Sequence, residues 1–108
     1  MELQMYNEMV RGILAALPDR VIRIVLYGSA ARGTSAPDSD VDIAVFVSSR
    51  MDQLAEDRLS DAVVDMNLKY DRVFSVIDIE DSVYRKWRHV TPFYRNVDRE
   101  GIVLWTAA

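Results

Sequence analysis

LYGSAARGTSAPDSDVDIAVFV, from Leu26 to Val47, decides how this chain is read. Two apolar runs flank a small, polar loop that contains a proline. The first run ends in the turn Gly28-Ser29, and ten residues later the second opens with Asp40-Val41-Asp42. Upstream, Val21 to Tyr27 reads VIRIVLY, β-branched and apolar with one Arg, which predicts a largely buried strand. Gly28 stops that strand. A glycine lets the backbone turn sharply and lets a phosphate approach with no Cβ in the way. Ser29 brings a hydroxyl and a backbone N–H. Ala30-Ala31-Arg32 would start a short helix whose free N–H groups point back at the turn, where phosphate oxygens are attracted. Arg32 adds a formal positive charge, and Gly33 would end the helical turn.

The second half of the stretch supplies carboxylates. Asp40 and Asp42 stand two apart at the start of VDIAVFV, and a strand of period two projects both from one face. Two acids so placed repel each other unless a cation lies between them. Mg²⁺ suits the position, because it prefers oxygen ligands and is commonly held by one or two carboxylates, substrate phosphates and water. A second ion would complete the arrangement used for phosphoryl and nucleotidyl transfer. Asp38 and Ser39 precede the pair, where they could cap the start of the strand or contact phosphate. Taken singly, a Gly-Ser turn is a common strand terminator and an Asp-x-Asp is commonly a solvated strand edge. Together, between two apolar runs, they form a far more specific signal.

The pattern Gly-Ser, ten residues, Asp-x-Asp and an apolar run resembles the nucleotidyltransferase superfamily that includes DNA polymerase β. Within it the chain looks like the minimal nucleotidyltransferases, the MNT or MntA-like antitoxin group of bacteria and archaea. A weaker likeness runs to the end, where PFYRNVDREGIVLW (Pro92 to Trp105) is similar to the closing helix and strand of such domains. The resemblance implies a Mg²⁺-dependent (or Mn²⁺-dependent) fold that moves a nucleoside monophosphate, AMP from ATP, to an acceptor hydroxyl. Carried over by residue, Gly28 and Ser29 would bind the triphosphate, with Arg32 and Ser39 beside them, and Asp40 and Asp42 would bind metal and carry catalysis. In the MntA-like group the partner is typically a HEPN-domain ribonuclease toxin, disabled by AMP on a tyrosine.

One departure stands out. Active members of the superfamily usually place a third carboxylate on the next core strand, here expected over Arg72 to Ile79 (RVFSVIDI). The matching position falls near Ser75. Asp78 lies three residues on, which turns it to the opposite face of an uninterrupted strand, and Asp71 lies just before the strand. Either Asp71 or Asp78 substitutes through a bulge, or the third ligand is missing and general-base catalysis is weakened. Asp78 and Asp81 can also simply begin the next helix.

Composition bounds the rest. At 108 residues the expectation is one domain, spanning 1–108, with a real but modest core. Half the residues are hydrophobic and 28% are charged, as in an ordinary globular protein. No cysteine leaves no disulfide framework or thiolate zinc site, and the single His89 excludes a multi-histidine cluster. No N-terminal apolar stretch and no run of membrane-spanning length are present, so the expected location is the cytoplasm. The net charge is −4: residues 1–69 carry 7 basic and 11 acidic side chains, residues 70–108 carry 6 of each. This balance lacks the broad basic footprint of a nucleic-acid grip, and no direct nucleic-acid binding is expected. Arg85, Lys86, Arg88, His89 and Arg95 form a basic run that reads as a solvated helix face.

The expected fold is α/β (α+β), a small mixed sheet flanked by helices, as in polymerase β-like nucleotidyltransferases. Tyr6, Met9, Val10, Ile13, Leu14 and Leu17 repeat at helical spacing before Pro18-Asp19. After the second strand, Ser48-Ser49 would cap a helix with Leu59, Ala62, Val63, Met66 and Tyr70 as its buried stripe. Asp81 or Ser82 would cap a short helix with Val83, Tyr84 and Trp87 on one side. Pro92 takes the first position of the last helix, Gly101 ends it, and Ile102 to Trp105 is a final strand. Tyr27 could stack near a nucleobase, although a packed strand-end aromatic is commoner. An exposed Trp105 beside Ile102 and Leu104 would suit an oligomer or partner surface. With no room for an acceptor-binding domain, the acceptor is expected on a partner protein. Two other classes stay open: a non-catalytic binding module with a degenerate site, and a transferase acting on a small molecule such as an aminoglycoside.

Overall fold

The computed structural model describes residues 2–34, 36 and 39–107. The elements run α1 (Glu2–Ala16), β1 (Val21–Tyr27), α2 (Gly28–Arg32), β2 (Val41–Val47), α3 (Gln53–Tyr70), β3 (Phe74–Glu80), α4 (Asp81–Trp87), α5 (Pro92–Glu100) and β4 (Ile102–Thr106). The four strands form one sheet in the order β3-β2-β1-β4. β1 is antiparallel to both β2 and β4, whereas β2 and β3 are parallel, joined through α3. The sheet is therefore mixed, and the two strands that carry the Gly-Ser turn and the Asp pair lie at its centre.

Period two explains why these strands are buried on both sides. Ile24 and Leu26 of β1 and Val41, Ile43 and Val45 of β2 join Met5, Met9, Ile13, Leu59 and Met66 in a core under α1 and α3. Val25, Ala44 and Phe46 point the other way and pack with Ile79, Tyr84 and Val97 under α4 and α5. Alternation with Val25 sets the Arg23 guanidinium on this second side. There it stacks over Phe46 at 4.0 Å and Tyr84 at 4.8 Å. These cation–π contacts explain an Arg within an otherwise apolar strand.

Four local expectations are corrected. The helix after β2 is capped by Asp52, not by Ser48-Ser49: Asp52 Oδ1 accepts the Ala55 N–H at 2.8 Å. β3 begins at Phe74 rather than Arg72, because Asp71 adopts a left-handed φ of 49° and the Arg72 N–H still closes α3 on the Asn67 carbonyl. Neither Asp81 nor Ser82 caps α4. Asp81 lies inside it and pairs with Arg85 at 2.7 Å, and of the expected stripe only Tyr84 is buried, Val83 and Trp87 being exposed. Trp105 is half-buried against the first core, and the exposed apolar residues of β4 are Ile102 and Val103. No helix of the described residues is long and apolar enough to cross a membrane.

Candidate active site

β1 delivers its chain to Gly28 at the centre of the sheet edge. Gly28 has φ +74°, a conformation that L side chains rarely adopt. α2 starts at Gly28 itself, two residues earlier than Ala30, with Tyr27 in extended geometry before it. Gly33, at φ 74°, closes the short helix by donating to the Ala30 carbonyl. Thr34 N–H then donates to the Ser29 carbonyl at 3.0 Å, folding the loop back across the turn.

β2 returns antiparallel, with Asp42 opposite Tyr27. That register brings the two halves of the motif into contact. A Cβ built at Gly28 would collide with Asp42 Oδ2, so the turn and the carboxylate share one small space. Asp40 stands just before β2 and is exposed. The Asp42 carboxyl is raised above the usual aspartate value, first by burial and then by the charge of Asp40, against a lowering by Arg32. Asp40 is thus near enough for its charge to be felt at Asp42, although it lies outside the strand whose period was expected to place it. Ser39 turns inward on its own loop: its Oγ accepts the Ala36 N–H at 2.9 Å. Asp38 lies outside the described residues.

The candidates for a third acid fall elsewhere. Ser75 is the register partner of Asp42 on β3, and it shares that side of the sheet with Ile77 and Ile79 of the second core. Asp78 is on the other face, toward Glu56 of α3, whose carboxyl is raised first by burial and then by the Asp78 charge. Asp71 forms the left-handed end of α3. Among the described residues no group of three or more His, Cys, Asp or Glu side chains is placed to hold a metal. Among the described residues, Asp40 is the acid whose charge is felt at Asp42.

α5 adds residues that sequence reading missed. Arg32 Nη1 pairs with Glu100 Oε2 at 2.7 Å, both side chains partly exposed. Phe93 meets the Tyr27 ring edge-on, centroids 5.5 Å apart at 89°. Tyr27, Gly28 and Arg32 on one side and Phe93, Asn96, Val97 and Glu100 on the other enclose a cleft of about 170 Å³. Burial and the Asp42 charge keep the Tyr27 phenol protonated well above neutrality. The signal for this wall was present in the spacing 93, 96, 97, 100, which lies on one helix face. Nothing in the sequence said that this face meets Gly28.

Residues 8–94 match the nucleotidyltransferase domain family. The chain belongs to that family. It has the α+β architecture its resemblance implied. Two proteins of Methanocaldococcus jannaschii are similar over nearly their whole length. Putative protein adenylyltransferase MJ0604 is 30% identical over 99 residues, 92% of this chain and 93% of that protein. Putative protein adenylyltransferase MJ0141 is 28% identical over 100 residues, 93% and 95% of the two chains. Among solved structures, a toxin–antitoxin crystal structure with AMP-PNP superposes with TM-score 0.66 at 21% identity, over 94% of this chain and 73% of that one. The MNT antitoxin complex with the tri-AMPylated HEPN toxin of Shewanella oneidensis gives TM-score 0.65 at 19% identity, over 99% and 74%. The spectinomycin adenyltransferase AAD(9) from Enterococcus faecialis, with ATP and spectinomycin, gives 0.77 at 14% identity over 97% of this chain and 56% of its own. At these identities the solved structures share the fold.

Proposed function

We propose that this nucleotidyltransferase moves AMP from ATP, with Mg²⁺, to a hydroxyl of a partner protein, and that the partner is a HEPN-type toxin. The observation that carries the reading is the contact between Gly28 and Asp42. A positive-φ glycine stands directly against a carboxylate that burial and a second acid raise above the usual aspartate value. The relatives named as protein adenylyltransferases and the toxin–antitoxin neighbours support AMP transfer to protein.

The donor set fits a hard divalent cation. Asp40 and Asp42 offer oxygen ligands only, and a Mg²⁺ ion held by two carboxylates expects its remaining ligands from phosphate and water. Bound there, the ion would neutralise charge on the triphosphate and on the oxygens of an in-line displacement. The chain's own share is positioning. Gly28 lets the Asp42 carboxylate lie against the turn, the Ser29 N–H and hydroxyl would meet the phosphates, and Arg32 contributes positive charge. The acceptor hydroxyl attacks the α-phosphorus and pyrophosphate leaves. Such transfers ask the protein mainly for alignment and charge stabilisation.

The Asp42–Ser75 register favours a second reading, in which chemistry is lost with the third acid and the chain restrains its partner by contact alone. Incubating the chain with ATP, Mg²⁺ and a HEPN protein encoded beside its gene separates the two. The first reading expects the partner to gain the mass of one or more AMP groups, lost in Asp42→Asn. An unmodified partner, still inhibited by an Asp40/Asp42 double variant, would establish the second.

A further inference from the structure

The cleft behind Gly28 is too small for a whole nucleotide. At about 170 Å³ it lies below the roughly 300–1,000 Å³ of sites that enclose a drug-sized ligand, so it suits a single ring system. Its walls are aromatic, Tyr27 and Phe93, and it opens beside the turn assigned to phosphate. Its polar groups are more specific. Asn96 and Glu100 stand four apart on α5 and reach the same cleft. Asn96 Oδ1 already accepts from Arg99 at 2.8 Å, so the amide faces a ligand as a donor. Glu100 has Oε2 on Arg32 at 2.7 Å and Oε1 3.6 Å from Arg99, and a carboxylate retains further acceptor sites. Arg32 also holds the Glu100 carboxyl below the usual glutamate range, which keeps it ionised at neutral pH.

One donor beside one obligate acceptor is a readable pattern. Adenine presents an acceptor N7 beside its 6-amino donor, whereas guanine presents two acceptors, N7 and O6. We propose that this cleft is a purine site selective for adenine, with Asn96 donating to the ring nitrogen and Glu100 accepting from the 6-amino group. Glu100 then acts by exclusion as well as attraction, since its carboxylate would face the O6 lone pairs of guanine. The inference rests on the phosphate-site reading above, and Arg32 ties the two together: it pairs with Glu100 and its charge is felt at Asp42.

The test is calorimetric titration of ATP and GTP into the intact chain with Mg²⁺, using wild type, Glu100→Gln, Asn96→Ala and Asp42→Asn, each checked for folding by circular dichroism. Wild type is expected to prefer ATP by roughly tenfold, the scale of one good bidentate base contact. Glu100→Gln should bring the ratio near one, chiefly by strengthening GTP, because a glutamine amide can turn its NH₂ to O6. Asn96→Ala should weaken both nucleotides alike, since both bases offer N7. A Glu100 that only braced α5 would leave the ratio unchanged in Glu100→Gln, and that result overturns the proposal. Equal ATP and GTP affinities that depend on Asp42 would sink adenine selectivity while sparing the phosphate site. An ATP preference indifferent to Asp42 would do the reverse, and binding of neither nucleotide would remove both.

Discussion

Gly28 and Asp42 occupy one space: the missing side chain of the first is where the carboxylate of the second lies. The contact is made possible by the antiparallel register that sets Asp42 opposite Tyr27. Gly28→Ala should therefore cost twice, through a positive φ that alanine resists and through displacement of Asp42. The expected loss is about 1–3 kcal/mol of unfolding free energy in urea, together with loss of Mg²⁺-dependent ATP binding. An alanine variant with wild-type stability would show that the turn relaxes freely.

Asp42→Asn should separate function from stability. A carboxyl raised in the folded state contributes stability that is full below its unfolded value and fades as pH rises through the folded value. In chelator at pH 7, Asp42 is thus a burden, and the Asn variant should melt at or above the wild-type temperature. The gap should close below the ordinary aspartate value of 3.8. Melting curves of both proteins across roughly pH 3–8 check the sign.

Glu8 offers the opposite sign at the other side of the molecule. Hydrogen bonds from Lys69 and Tyr70 of α3 hold its carboxyl down at about 2, tying α1 to α3. A lowered carboxyl stabilises above its unfolded value and loses that contribution as pH falls through the folded one. Glu8→Gln should lower the melting temperature at pH 7. The deficit should begin to shrink near 4.5 and vanish near 2. A deficit that stays constant over that window would assign the effect to packing.

Tyr84 anchors the second core. Its ring meets Phe46 edge-on with centroids 4.8 Å apart, and its hydroxyl donates to Asp98 Oδ1. Tyr84→Phe keeps the ring and should cost about 0.5–1.5 kcal/mol for the hydrogen bond. Tyr84→Ala should cost about 3–5 kcal/mol by opening a cavity under α4 and α5. Chemical denaturation of the pair distinguishes the polar share from the packing share.

Ser75→Asp tests whether a third acid belongs beside Asp42, its register partner. Without metal the added like charge should lower stability. With Mg²⁺ and ATP it should tighten metal binding and quicken transfer, and the melting temperature should rise more on Mg²⁺ addition than in wild type. Asp78→Asn, on the opposite face with Glu56, should leave nucleotide binding unchanged. Loss of binding in that variant would bring Asp78 back as a ligand.

The sheet was legible because its signals are local. VIRIVLY and VDIAVFV are strands as read, Pro92 opens α5, and the apolar spacing of α1 defines its buried face. The misreadings lie where one local signal competes with another. Ser48-Ser49 and Asp52 are all good caps, and the longer approach to α3 favoured the third. Asp71 can end a helix because aspartate tolerates the left-handed region, and that absorbed the first residues expected of β3. The Gly-Ser and Asp-x-Asp halves could be found by spacing, and their Cβ-level contact follows from the strand register. The α5 wall could not, since Phe93, Asn96 and Glu100 become neighbours of Gly28 only through tertiary packing.

This division has a consequence for the order in which the protein assembles. Tyr27 and Asp42 face each other across a hairpin that closes only 15 residues, whereas Arg32 and Glu100 meet across 68. Short closures form early and long ones late. The Gly28-Ser29 turn, proposed above for phosphate, is thus expected to take shape with the β1–β2 pair, before α5 arrives to complete the cleft. A nucleotide present during refolding would find its charged end recognised first and its base judged last.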